Sequence, residues 1–129
     1  MAVELQMLVW SLVLGLAQIM ITATLSTQQR GLAWNTGARD VTPPPLTGVG
    51  GRMDRALRNL LETFPFFAAA VLAVLVTQRT NAHTVLGAQL YFWGRLAYVP
   101  LYAAGIAYLR TLVWVVSIVG LVMVLLALF

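Results

Sequence analysis

The stretch R-M-D-R-A-L-R-N-L-L-E-T-F-P, Arg52 to Pro65, sets three arginines, an aspartate, an asparagine and a glutamate directly ahead of a long apolar run. Read as a helix at about 100° per residue, it places Arg52, Arg55, Arg58, Asn59 and Glu62 within an arc of roughly 120°. Met53, Ala56, Leu57, Leu60 and Leu61 take the opposite face, with Asp54 between the two. A polar stripe at a membrane boundary is costly to bury in lipid, so it must face water, a partner or a ligand. Arginine at a helix start also opposes the helix dipole, which favours acids there. One reading is a solvated cap with Asp54–Arg58 and Arg58–Glu62 pairs four residues apart. The other is a preformed anion site, where guanidinium and free helix N–H groups converge on carboxylates or phosphates. The residues alone leave both open.

The rest of the chain says what kind of boundary this is. Of its 129 residues 60% are hydrophobic and only 9% charged, against roughly a quarter charged in a soluble domain. An integral membrane protein of three or four spans in one domain follows. There is no cysteine, hence no disulfide and no protein thiol nucleophile, and the single histidine, His83, argues against a metal centre. The net charge of +4 rests wholly on arginine. It is not spread over a soluble basic face, so nucleic acid is not an expected partner.

Outward from the stripe, the spans fall at about 5–25, 60–78, 84–108 and 111–129. The first lacks the basic start, short apolar run and small-residue site of a signal peptide. Gln18 within it should face other helices. Residues 26–51 read as one long loop, broken by Asn35-Thr36-Gly37 and Pro43-Pro44-Pro45, with Trp34 at headgroup level. Its G-V-G-G piece lacks the lysine and preceding strand of a phosphate loop. The second helix begins near Gly48–Arg52, and Pro65 is expected to kink it. The short turn at Gln78–Asn81 makes the third helix antiparallel to the second.

The third span carries Arg95, a charge well inside an apolar segment and so a candidate functional residue. Tyr91, Arg95, Tyr98 and Tyr102 share one face within an arc of about 60°. Pro100 is expected to bend this helix before a turn around Leu109–Arg110. Glu62 and Arg95 lie at similar depth on either side of the Arg79 turn, and each alone is a buried charge; the two are expected to pair. Arginine counts put the long loop and Arg110 in the cytoplasm and both termini on the opposite side.

At this point three motifs resemble one family. R-x-x-R-x-x-R-N-x-x-E-x-x-P at Arg52–Pro65, G-R-L-A-Y-V-P-L-Y at Gly94–Tyr102 and Y-L-R-T at Tyr108–Thr111 are similar to those of the membrane-associated proteins in eicosanoid and glutathione metabolism, in particular the compact bacterial members. The resemblance implies an all-α fold, a left-handed bundle of four transmembrane helices per subunit assembled as a homotrimer in the bacterial inner membrane. It implies glutathione as cosubstrate, bound between neighbouring subunits near the cytoplasmic side. Arg55, Arg58, Asn59 and Glu62 would hold its carboxylates and amine, Tyr98 and Tyr102 would complete the pocket, and Arg30 would contact the ligand. Arg52 and Arg95 join this candidate binding set. Arg110 resembles the arginine that stabilises the glutathione thiolate, and Thr111 falls where some members have serine; these two are the candidate catalytic residues.

The implied activity is transfer of the thiolate to a lipophilic electrophile arriving through the bilayer, or reduction of a hydroperoxide. A non-catalytic binding or assembly protein with the same fold is the alternative. A small cation exporter fits poorly, because Glu4 is too near the chain end and Glu62 is surrounded by arginines.

Overall fold

The computed structural model describes residues Met1–Phe129, and every regular element is a helix. These are α1 (Val3–Arg30), α2 (Leu32–Thr36), α3 (Gly48–Val76), α4 (Ala82–Ala103) and α5 (Ala107–Leu126). α1, α3 and α5 are each long and apolar enough to cross a membrane. α4, at 22 residues, spans about 33 Å but carries the arginine and three tyrosines of one face.

The four long helices run antiparallel in sequence order, as their end contacts show. At one end, the Thr84 hydroxyl of α4 donates to Glu4 of α1 (2.7 Å), and Arg79 donates to the Leu128 carbonyl beyond α5 (2.9 Å). At the other end, the Gln29 amide of α1 both donates to and accepts from the Thr47 backbone ahead of α3 (2.9 Å each). There, too, Arg52 donates to the Ala103 carbonyl that closes α4 (2.8 Å). Seven of the eight arginines, all but Arg79, lie on the helices meeting at this second end, on the α2–α3 connection (Arg39), or on the halves of α3 and α4 that lead to it.

The core lies where α3 meets α1 and α4. Met53, Ala56, Leu60, Phe67, Val71 and Val74 of α3 are buried, spaced by threes, fours and sevens as one helix face requires. Phe67 stacks on Tyr91 with ring centroids 3.9 Å apart, and the Tyr91 hydroxyl meets Thr63 at 3.0 Å. α1 turns Glu4, Leu8, Ser11, Gln18 and Thr22 inward, alternating steps of four and three or their sum, a coiled-coil seam. Gln18 faces other helices, as expected, but its amide nitrogen finds no partner within the chain.

α4 and α5 pack most closely, through glycine. A Cβ on Gly87 would lie 2.6 Å from the Gly120 carbonyl oxygen, so the two backbones touch where no side chain intervenes.

Three boundaries differ from the sequence expectation. α1 does not stop near residue 25 but continues to Arg30; Thr24 and Thr27 bond back to the Met20 and Ala23 carbonyls and keep the polar end helical. Asn35 and Thr36 belong to the short helix α2, which stops at Gly37; the Asn35 side chain bonds Thr27 (3.0 Å) and so ties α2 to α1.

The α4–α5 turn is at Ala104–Ile106 rather than Leu109–Arg110. Gly105, at φ 76°, donates to the Tyr102 carbonyl and Ile106 to that of Leu101, each at 3.0 Å. This is the paired cap that a left-handed residue after a helix allows. Arg110 therefore stands in the opening turns of α5. α3 runs unbroken through Pro65.

Candidate functional site

The arginine-rich end holds a cavity of about 230 Å³ lined by Asn59 of α3, Tyr98 and Tyr102 of α4, and Arg110, Thr111 and Trp114 of α5. Each helix delivers its residues by period. Tyr98 and Tyr102 are one turn apart, with ring centroids at 5.5 Å, and Arg110 and Trp114 are likewise one turn apart on α5. Tyr102 is the junction. Its hydroxyl accepts from Arg55 Nε at 3.1 Å, and the Arg110 guanidinium carbon lies 4.5 Å from its ring centroid. The Arg110 guanidinium makes no ion pair within the chain; the single one present is Asp54–Arg58 at 3.2 Å.

Behind the cavity, Arg95 is 1% exposed. It donates from Nη1 to Asn59 Oδ1 at 2.7 Å and lies over the Tyr98 ring at 4.5 Å. Its Nε and Nη2 have no partner. The expected Glu62–Arg95 pair is not formed. Glu62 is exposed, and the acceptor at Arg95 is Asn59. The reason is azimuth. Asn59 sits on the edge of the polar arc next to Ala56, which packs inward, whereas Glu62 lies about 60° further round. Depth matched; direction did not.

The other expected site residues separate into two groups. Arg52 and Arg55 engage α4, the first as a strap on its last carbonyl and the second through Tyr102. Arg58, with its side chain 73% exposed, and Glu62 face outward, and the Arg58–Glu62 pair is absent. Arg30 packs on Trp34 at 5.1 Å with its Nε buried and unpartnered, outside the cavity lining. Arg39 covers the same ring at 5.1 Å. Trp114 lines the cavity and was not singled out by the sequence; its place four residues after Arg110 is the signal that could have found it.

A guanidinium, a hydroxyl and two phenols around a small cavity, at one end of an apolar helical bundle, can bind an anion and favour a negatively charged sulfur or oxygen over its protonated form. Fold and composition thus define a helical integral membrane protein with an arginine-rich polar end. A family model, that of the MAPEG family, matches residues 7–129, and the chain belongs to that family of glutathione and eicosanoid metabolism. No curated protein and no solved structure shows a comparable match.

Proposed function

We propose that the protein binds glutathione at its arginine-rich end and passes the thiolate to a lipophilic electrophile, or uses it to reduce a hydroperoxide. The observation that carries this reading is Arg110, a guanidinium that lines the cavity and rests on the Tyr102 ring, with Thr111 beside it. A thiol is a poor nucleophile until it ionises, and a nearby fixed cation favours ionisation. The cosubstrate supplies the sulfur that this cysteine-free chain lacks. In transfer, a carbon–sulfur bond forms as the electrophile's leaving group or π pair departs. In reduction, two thiols become a disulfide while the O–O bond becomes alcohol and water. Arg55, Asn59, Tyr98 and Tyr102 would hold the tripeptide in place.

The same reading makes the protein a homotrimer of four-span subunits. At about 230 Å³ the cavity is smaller than the roughly 300–1,000 Å³ of a complete small-molecule site. Arg58 and Glu62 face away from the bundle, and Glu62 lies one turn before Pro65 and the exposed Phe66, where lipid would otherwise begin. A carboxylate there is costly in hydrocarbon, and a neighbouring subunit's half of a glutathione site relieves it. Arg30 and Arg52 then belong to the rim of the shared site. α4 serves as the fourth span because its polar face is turned inward while Leu86, Trp93 and Leu96 are exposed. The arginine-rich end is cytoplasmic and both termini lie on the far side of a bacterial inner membrane.

The test is a glutathione titration of the detergent-purified protein, following thiolate absorbance in the ultraviolet and turnover of a lipophilic electrophile. Arg110→Ala should abolish the thiolate signal and lower turnover by about a hundredfold or more, with a much smaller effect on glutathione affinity. Unchanged turnover in the variant would overturn the role of Arg110. Binding by the wild type without thiolate would establish a non-catalytic binding protein instead.

A further inference from the structure

Arg110 needs something to hold it. It stands in the opening turns of α5, after a three-residue turn, and makes no ion pair. A long side chain in that position is free to swing into water, which costs catalytic precision. The aromatic face the structure sets under its guanidinium is the ring of Tyr102, 4.5 Å away. That ring is itself fixed. Tyr102 lies in the last turn of α4, accepts a hydrogen bond from Arg55 Nε at 3.1 Å and packs against Tyr98 at 5.5 Å. The Tyr102 carbonyl is also engaged, by the N–H of Gly105 in the helix cap. An aromatic face is a directional acceptor for a guanidinium, stronger where water is partly excluded.

We propose that Tyr102 is the positioning residue for Arg110: its ring is the platform that keeps the guanidinium over the cavity, and Arg55 locks the platform through the hydroxyl. The inference deepens the glutathione reading and rests on it for its functional consequence. It assigns Arg55 an effect on the reactive sulfur that passes through Tyr102. It also divides Tyr102 into two separable parts, a ring that sets Arg110 and a hydroxyl that sets the ring.

Two variants separate the parts. Tyr102→Phe keeps the ring and loses the hydroxyl; Tyr102→Leu loses both while keeping an apolar side chain. The first readout needs no ligand. In protein labelled with ¹⁵N-arginine, the Arg110 Nε–H resonance, identified by its disappearance in Arg110→Lys, should be ring-current shifted in the wild type. The shift should be reduced in Tyr102→Phe, whose ring is no longer locked by Arg55, and lost in Tyr102→Leu. An unshifted wild-type resonance, or one that Tyr102→Leu leaves in place, would overturn the platform.

The second readout is the pH profile of thiolate absorbance with glutathione bound. Tyr102→Phe, which keeps the ring but frees it from Arg55, should move the profile measurably but by less than Tyr102→Leu. Tyr102→Leu should move the profile towards free glutathione by on the order of tenfold in proton concentration, with a smaller change in glutathione affinity. Equal shifts in both variants would mean that the hydroxyl acts on the ligand directly, and the inference would fall. If the wild type shows no glutathione thiolate at all, the proposed function fails, and the resonance alone decides the platform.

Discussion

Asn59 sets what the buried guanidinium of Arg95 costs. Its Oδ1 is the one hydrogen-bond acceptor that Arg95 has, and two further guanidinium nitrogens, Nε and Nη2, are left without any. A buried cation with no acceptor is among the more expensive states a side chain can adopt. Asn59→Ala should therefore lower stability in detergent by about 1–3 kcal/mol, read as a fall in the denaturation midpoint. Asn59→Asp, which offers Arg95 an anion in the same place, should recover much of that loss; an aspartate variant no more stable than the alanine one would count against the argument. At this scale the sequence was legible in part. The stripe and the tyrosine face could be read from period alone, and Tyr91, Arg95 and Tyr98 are all buried together. The partner of Arg95 could not, because equal depth in a hairpin fixes one coordinate and leaves rotation about each helix axis free. Trp114 was missed for a related reason: a tryptophan in a membrane helix has too many ordinary uses for its type alone to mark a site.

Helix ends decide where the site residues stand. Gly105 stops α4 at Ala103 and lets α5 begin at Ala107. A longer third helix with its turn at Arg110 would have put that guanidinium in a loop. Gly105 was the available signal, since glycine just past a helix is the usual way to take the left-handed conformation. It was hidden by small and apolar neighbours that read equally well as a continuing span. The early end expected for α1 has the opposite cause. Ser26, Thr27, Gln28 and Gln29 look like a loop by composition, yet back-bonding hydroxyls and the Gln29–Thr47 contacts keep the segment helical. The α4–α5 contact carries the firmest prediction at this scale. Gly87→Ala places a methyl group 2.6 Å from the Gly120 carbonyl oxygen and 2.9 Å from the Met123 Cβ, so the helices must separate. A loss of about 1–3 kcal/mol in stability is expected. It should be visible as a lower thermal midpoint, whereas Gly31→Ala, with no atom near its added Cβ, reports only the strain of its backbone.

For the whole molecule, composition was decisive for membrane residence and silent on assembly. Apolar side chains such as Leu16, Phe66 and Leu126 are more than half exposed, and lipid and a neighbouring subunit cover them equally well. Only the misplaced-looking charges, Glu62 above all, distinguish the two. The proposed trimer predicts a native mass of three 14.1 kDa chains in a mild detergent; a monomer at concentrations that bind glutathione would refute it. The glycine contact between α4 and α5 has one more consequence, for biosynthesis. α4 is not among the helices apolar enough to cross by composition, while α5 has the highest mean hydropathy of any, 2.4. Under the four-span topology proposed above, α4 does not partition into lipid by itself when it leaves the ribosome. Its entry is then expected to be coupled to that of α5, the two inserting as a hairpin joined at the Gly87–Gly120 contact, while α3 covers the face that bears Tyr91 and Arg95. Tyr98, Tyr102 and Arg110 thus arrive in the membrane already side by side, and half of the site exists before the bundle closes.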